Sequence, residues 1–389
     1  MSETASTPIA EKTKKPVDPA NSGLEDVIAG DSSVCFIDGP RCRLIYRGYS
    51  IDDLAKSSTF EETAYLLCFG KLPSKVQLSE FSAKLAEHRS PDPRLIERMA
   101  GIPKTVHPMS VLRTLVSAFS FYDPQAEQAD PKSSNEKAIR VMAALPTLIA
   151  AWHRVISGQK PVEPRKDLNH ASNFLYMLNG KEPDPVFAKA LDLYLVLLAD
   201  HELNASTFAA RVTASTLSDY YSAVTAAIGA LKGPLHGGAN EQVIKMLFEI
   251  DDENKVDQYL KDAVALKKKI MGFGHRVYKV KDPRSPILKE TSKQVCDKTG
   301  NSKLYRMSEK IEAIVTAEKK LPSNVDFYSA TVLYCIGIPP ALFTPMFLMS
   351  RIAGYSAHYL EQISDNRLLR PRANYTGDMD LAYVPIEKR

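Results

Sequence analysis

Two histidines stand where the backbone must be tight. His236 lies in Gly233-Pro234-Leu235-His236-Gly237-Gly238-Ala239-Asn240, and His275 in Met271-Gly272-Phe273-Gly274-His275-Arg276-Val277-Tyr278. Flanking glycines let main chain approach a ligand closely, and imidazole exchanges protons near neutral pH. One such histidine alone reads better as a satisfied turn residue. Two of them, with Arg284 nine residues past the second, point to chemistry. Asp326, in Asn324-Val325-Asp326-Phe327-Tyr328-Ser329-Ala330, precedes a helical pattern and reads as an N-cap, a role compatible with acid–base work. Arg351 and the pair in Arg370-Pro371-Arg372 offer rigid forks for carboxylates, with ordinary surface arginine as the plain alternative.

Familiar motifs are absent or broken. His201-Glu202 begins like a zinc-protease HExxH, but Ala205 stands where the second imidazole is required. Gly272-Phe273-Gly274 begins like a dinucleotide fingerprint, yet Val277 replaces the third glycine and no strand pattern precedes it. Neither a phosphate loop nor a GxSxG elbow occurs. Lys267-Lys268-Lys269 reads as the solvated end of a helix.

These residues need a scaffold, and composition bounds it. The chain has 389 residues, 44% hydrophobic and 25% charged, an ordinary globular balance that predicts two to three compact units. Five cysteines without a CxxC pair argue against a disulfide scaffold or structural zinc and favour a reducing, cytoplasmic setting. The 50 basic and 46 acidic residues are spread along the chain, so no nucleic-acid stripe is expected. Residues 1–22 are polar, lack the apolar core of a secretory signal and read as a disordered tail. The uncharged stretch Ser329 to Ser350 is long enough to span a bilayer. Pro339, Pro340 and Pro345 divide it into two buried helices instead, so no membrane partner is expected.

Apolar periodicity predicts a mainly α fold, with helices over Asp53–Leu67, Val111–Tyr122, Val186–Asp200, Thr207–Leu231 and Tyr305–Lys319. A small hairpin is expected from Val34–Ile37 and Arg43–Tyr46. Loops are expected at Pro124–Asn135 and Gly158–Pro164.

Read in order, HELNAST (201–207), GALKGPLHGGAN (229–240), MGFGHRVYKVKDPR (271–284), PSNVDFYSA (322–330) and RLLRPRANYTG (367–377) resemble the citrate synthase family, closest to its short bacterial type. The resemblance runs from about Gly23 to the C-terminus. It implies condensation of acetyl-CoA with oxaloacetate and hydrolysis of the citryl thioester, with no metal and no cofactor. The neighbouring possibility within the family is 2-methylcitrate synthase, which uses propionyl-CoA. By motif match, Asp326 is the base toward the acetyl methyl, His236 the donor to the thioester oxygen and His275 the acid toward the oxaloacetate ketone. His201, Arg284, Arg351 and Arg370 match oxaloacetate contacts. Ile270, Gly272, Phe273, Gly274 and Lys279 match positions that hold CoA. The family fold implies a large helical domain (23–231 and 337–389) and a small closing domain (232–336). It also implies a homodimer in which Arg370 reaches the neighbouring subunit's site.

Overall fold

The computed structural model describes Gly23, Leu24 and residues 27–389, so the expected tail over 1–22 lies outside the described residues. Contacts gather the chain into two units. One is Ser32–Leu368; the other comprises Leu369–Arg389 with the described residues up to Asp31. The latter is almost wholly exposed and carries a short 3-10 turn at Ile386–Lys388.

The larger unit opens with an antiparallel sheet of order β1 (Cys35–Asp38), β2 (Arg43–Tyr46) and β3 (Tyr49–Ser50). Cys35 pairs with Tyr46 and Asp38 with Arg43, so the hairpin is present with one short strand added. Cys35, Ile37, Leu44 and Tyr46 are buried while Phe36 is exposed, the period-two pattern of a half-buried sheet.

Helices make up the rest: α1 (Ile51–Ser57), α2 (Phe60–Phe69), α3 (Lys75–Glu87), α4 (Pro93–Glu97), α5 (Pro108–Ala118), α6 (Pro131–Ile156), α7 (His170–Asn179) and α8 (Pro185–Leu198). They continue as α9 (Ala205–Ser215), α10 (Tyr220–Leu231), α11 (Ala239–Ile250), α12 (Val256–Ala265), α13 (Arg284–Lys298), α14 (Ser302–Lys319), α15 (Val325–Cys335) and α16 (Phe343–Ser364). Side-chain caps punctuate the chain: Ser50, Thr59, Ser74, Asp130, Asp184, Asn204, Asp219 and Asn324 each accept a hydrogen bond from the first turn of the helix they precede. At the centre lies α16, whose residues from Phe343 to Tyr359 are all buried. Among the described residues α6 is long and apolar enough to cross a membrane, but 72% of its apolar window is buried inside the fold.

Several sequence-based boundaries need correction. Thr207–Leu231 is not one helix: Leu217 adopts φ +62°, and Asp219 caps a fresh start at Tyr220. Asp53–Leu67 is likewise divided, with Thr59 capping α2. Val111–Tyr122 begins earlier, at Pro108, and passes into a 3-10 turn over Phe119–Tyr122. The last five residues of the expected loop Pro124–Asn135 are helical, because Asp130 caps α6 and Pro131 fits its first turn. Asp326 is not an N-cap; Asn324 is, and its side chain accepts from the Asp326 N–H at 3.0 Å.

Candidate active site

Glycines set the two histidines as expected. Gly237 donates its N–H to the Leu231 carbonyl at 3.0 Å, and a Cβ there would sit 2.4 Å from that oxygen. His236 therefore emerges from a turn that only glycine permits. Gly272, at φ +83°, lies beneath Phe327, where a Cβ would meet the ring at 2.8 Å. The loop carrying His275 is laced to the start of α15: Gly274 N–H donates to Pro322, Asn324 N–H to Gly272, and Asn324 Nδ2 to the Gly274 carbonyl at 2.9 Å. Asn324 thus fixes the loop of His275 and the helix of Asp326 to one another.

His275 is held by main chain. Its Nδ1 accepts from the N–H groups of Val277 (3.0 Å) and Tyr278 (3.1 Å), so the neutral ring carries its proton on Nε2. Burial, then the Arg284 charge, pushes its pKa down to about 4. His236 is also pushed to about 4, by burial and then Arg351, and its Nε2 lies 2.7 Å from Ser206 Oγ. Tyr355 donates to that same Ser206 oxygen at 2.6 Å, and Asn204 Oδ1 lies 2.8 Å from it. His201 is buried beside His275, the two rings 5.1 Å apart, and its Nε2 has no partner among the described residues. Burial and the neighbouring Arg284 hold it well below the usual histidine range.

Charge converges on the same place. Asp282 grips Arg284 through Nε (2.9 Å) and Nη2 (2.8 Å) and accepts from the Val325 N–H, tying α13 to α15. Arg351 donates Nε to the Leu198 carbonyl and stacks 4.7 Å over Phe347. Both arginines are buried. Arg351 acts on His201, His236 and Asp326 alike, and Arg284 on His201, His275 and Asp326. Burial raises the Asp326 carboxyl to about 6, although both arginines pull it down. A set of neutral imidazoles, a reluctant carboxylate and two fixed cations suits proton abstraction beside an anionic substrate.

The loop after α8 is clamped from both sides. Tyr46 donates to the Asp200 carbonyl at 2.9 Å, and Glu202 accepts from the Ile37 N–H at 2.7 Å. From α16, His358 Nε2 meets Asp200 Oδ2 at 3.2 Å, and Gly354 donates its N–H to the Ala199 carbonyl at 3.0 Å.

Of the residues expected to bind CoA, Ile270 is half-buried against the core, Phe273 packs on Phe327 at 4.6 Å, and Gly274 holds φ +77°. Lys279 is exposed, with Nζ on the Arg276 carbonyl. Arg370 is exposed in the terminal unit. Ser206, Tyr355, Asp282 and Asn204 escaped the sequence reading. Of these only Asp282, two residues before Arg284 in a Lys-Asp-Pro-Arg run, carried a local sign.

Fold and site together suit acid–base chemistry on a small anionic substrate. Residues 23–372 match the family described as citrate synthase, C-terminal domain. The chain is 52% identical to citrate synthase 2 of Bacillus subtilis, over 95% of this chain and 99% of that one. It is 50% identical to a citrate synthase of Haloferax volcanii, over 94% and 98%. A 2-methylcitrate synthase of Shewanella oneidensis stands at 41%, over 95% and 98%. Among solved structures, the citrate synthase of Thermoplasma acidophilum, in a ternary complex with carboxymethyl coenzyme A and oxaloacetate, superposes with a TM-score of 0.90 at 33% identity, covering 95% of this chain and 99% of that one. The chain belongs to the citrate synthase family, and its reaction class is acyl transfer.

Proposed function

We propose that the chain condenses acetyl-CoA with oxaloacetate at this site and hydrolyses the resulting thioester. The observation that carries this reading is the convergence of Arg284 and Arg351 on Asp326 and the three histidines. Oxaloacetate, a dianion, takes the two arginines and the orphaned Nε2 of His201. Arg284 spends Nε and Nη2 on Asp282, which fixes its plane and leaves Nη1 for a carboxylate. His275, with Nδ1 occupied by backbone, directs Nε2–H at the ketone and gives up a proton as the new carbon–carbon bond forms. Asp326 removes the acetyl methyl proton. A carboxyl poised near 6 is ionised at neutral pH yet basic enough to hold that proton. His236 donates to the thioester oxygen. For that role Ser206, whose proton rests on Asn204 Oδ1, must turn it toward Nε2, so that His236 keeps its own on Nδ1. Such a donor to a developing oxyanion contributes about 2.7–4 kcal/mol in comparable sites.

CoA follows the 270–279 segment, with Phe273 and the backbone of Gly272 and Gly274 beneath the adenine and Lys279 toward phosphate. The reaction as proposed draws on no metal and no cofactor. Residues 232–336 close over the substrates as a small domain; glycine turns at Gly233, Gly237 and Gly337 (φ +89°) flank it. Closure excludes water from the enolate. The working unit is a cytoplasmic homodimer, each site completed by Arg370 from the other subunit. Dimer exchange of this kind makes use of an exposed Arg370.

Free thiol released from acetyl-CoA, dependent on oxaloacetate, is the test. Absence of release by the purified protein overturns the reading. Because one methylene is worth about 1–3 kcal/mol, propionyl-CoA is expected to show a kcat/KM lower by roughly 10-fold to 200-fold. A preference for propionyl-CoA would assign the chain to 2-methylcitrate synthesis instead.

A further inference from the structure

Cys296, near the end of α13, and Cys335, the last residue of α15, bring their sulfurs to 3.4 Å across 39 residues of sequence. The proposed chemistry uses neither. Both are buried, among Ser292, Thr299 and Thr331, whose hydroxyls bond one another or nearby carbonyls. The sulfur–sulfur contact is the largest influence on Cys335 and lowers its thiol against the burial that raises it. Cys335 also has an approach. With Ile336 and Gly337 it lines a cavity of about 420 Å³ that Asn179, Lys181 and Pro183 also line. That cavity is the approach a small oxidant would take to Cys335.

We infer that Cys296 and Cys335 are a modification site for peroxide, a dithiol that closes reversibly to an intramolecular disulfide. The Cys335 thiolate attacks one peroxide oxygen; the O–O bond breaks, hydroxide leaves, and a sulfenic acid forms. Cys296 then attacks the Cys335 sulfur; the S–O bond breaks, and the proton shed by Cys296 leaves with the hydroxyl as water. Two thiols and one hydrogen peroxide give one disulfide and two waters. The sulfurs lose two electrons and the peroxide gains them. Bonding distance is about 2.05 Å, so the sulfurs close by only ~1.3 Å, within reach of side-chain rotation and slight helix movement. In a reducing compartment such a pair rests as thiols and responds to oxidant.

The cross-link fastens the far ends of the two helices that begin at Arg284 and Val325, the latter next to Asp326. The intact protein is treated with hydrogen peroxide, its remaining thiols are alkylated in denaturant, and it is digested with trypsin. Expected is a fall from five free thiols to three, with Gln294–Lys298 joined to Leu321–Arg351 at a mass two hydrogens below their sum. Dithiothreitol restores the two thiols. In Cys296→Ser the joined peptide is lost and Cys335 is trapped as sulfenic acid by dimedone. Five thiols surviving peroxide, loss of Cys35, Cys42 or Cys68 with this pair intact, or disulfides only between two copies of the chain would each overturn the inference.

Discussion

Asp326 is held at a cost that the proposed chemistry uses. Its carboxyl titrates at about 6 in the folded protein against roughly 3.9 in an unfolded chain. A carboxyl raised on folding binds its proton more tightly in the native state, so below about pH 4 both states are protonated and nothing is lost. The penalty grows between about pH 4 and 6 and is complete above 6, where it amounts to about 2–3 kcal/mol. Asp326→Asn removes that charge. The variant is expected to melt a few degrees higher than the parent at pH 8, a difference that fades toward pH 4, while turnover falls by a factor of about 10² or more. Equal melting temperatures at pH 8 would show that the carboxylate is not stored at a cost. The parent's kcat/KM should lose activity as pH falls through about 6, with a single proton taken up.

Asn324 shows how one cap serves two elements. Its Oδ1 takes the Asp326 N–H while its Nδ2 reaches the carbonyl of Gly274, one residue before His275. Asn324→Ala removes both bonds. Loss of the cap alone costs about 1 kcal/mol, and the His275 loop loses its tether to α15. Lower stability is therefore expected together with a fall in kcat that Asn324→Asp, which keeps the cap but not the Nδ2 donor, only partly repairs. A capped but fully active Ala variant would deny the tether any role. Asn324 was visible in the sequence, but with Asp326 two residues away either could cap the helix, and only the backbone register decides. The break at Leu217 was hidden for a related reason: a left-handed leucine sits in an alanine-rich run with no glycine or proline to mark it. By contrast, Gly233-Pro234 and Pro185 read correctly, because their conformational demands are local. Loss of helix periodicity is easy to see; a turn enforced by tertiary packing is not.

Assembly of the whole site depends on residues far apart in the chain, and sequence reading stops there. Asp326, His236, His275, Arg284 and Arg351 stood out by their local settings. Ser206 and Tyr355, 149 residues apart, carry no local sign of their contact. If Arg370 completes the partner's site, Asp326→Asn and Arg370→Ala homodimers are each impaired. Their mixture after subunit exchange should then recover about a quarter of parental activity, because half of the dimers are mixed and each has one intact site. No recovery after demonstrated exchange would place Arg370 within its own subunit's site. The clamp on the 199–202 loop reaches further still. It is gripped by Ile37 and Tyr46 from the first strands and by Gly354 and His358 from the last helix. During synthesis, a ribosome must deliver almost the entire chain before His201 has a rigid seat. At about 5–20 residues per second, the 156 residues from Glu202 to His358 take roughly 8–30 s, during which hairpin and loop exist but the final buttress is unmade. Truncation by even the last turns of α16 would leave a largely helical protein without its histidine cluster in register.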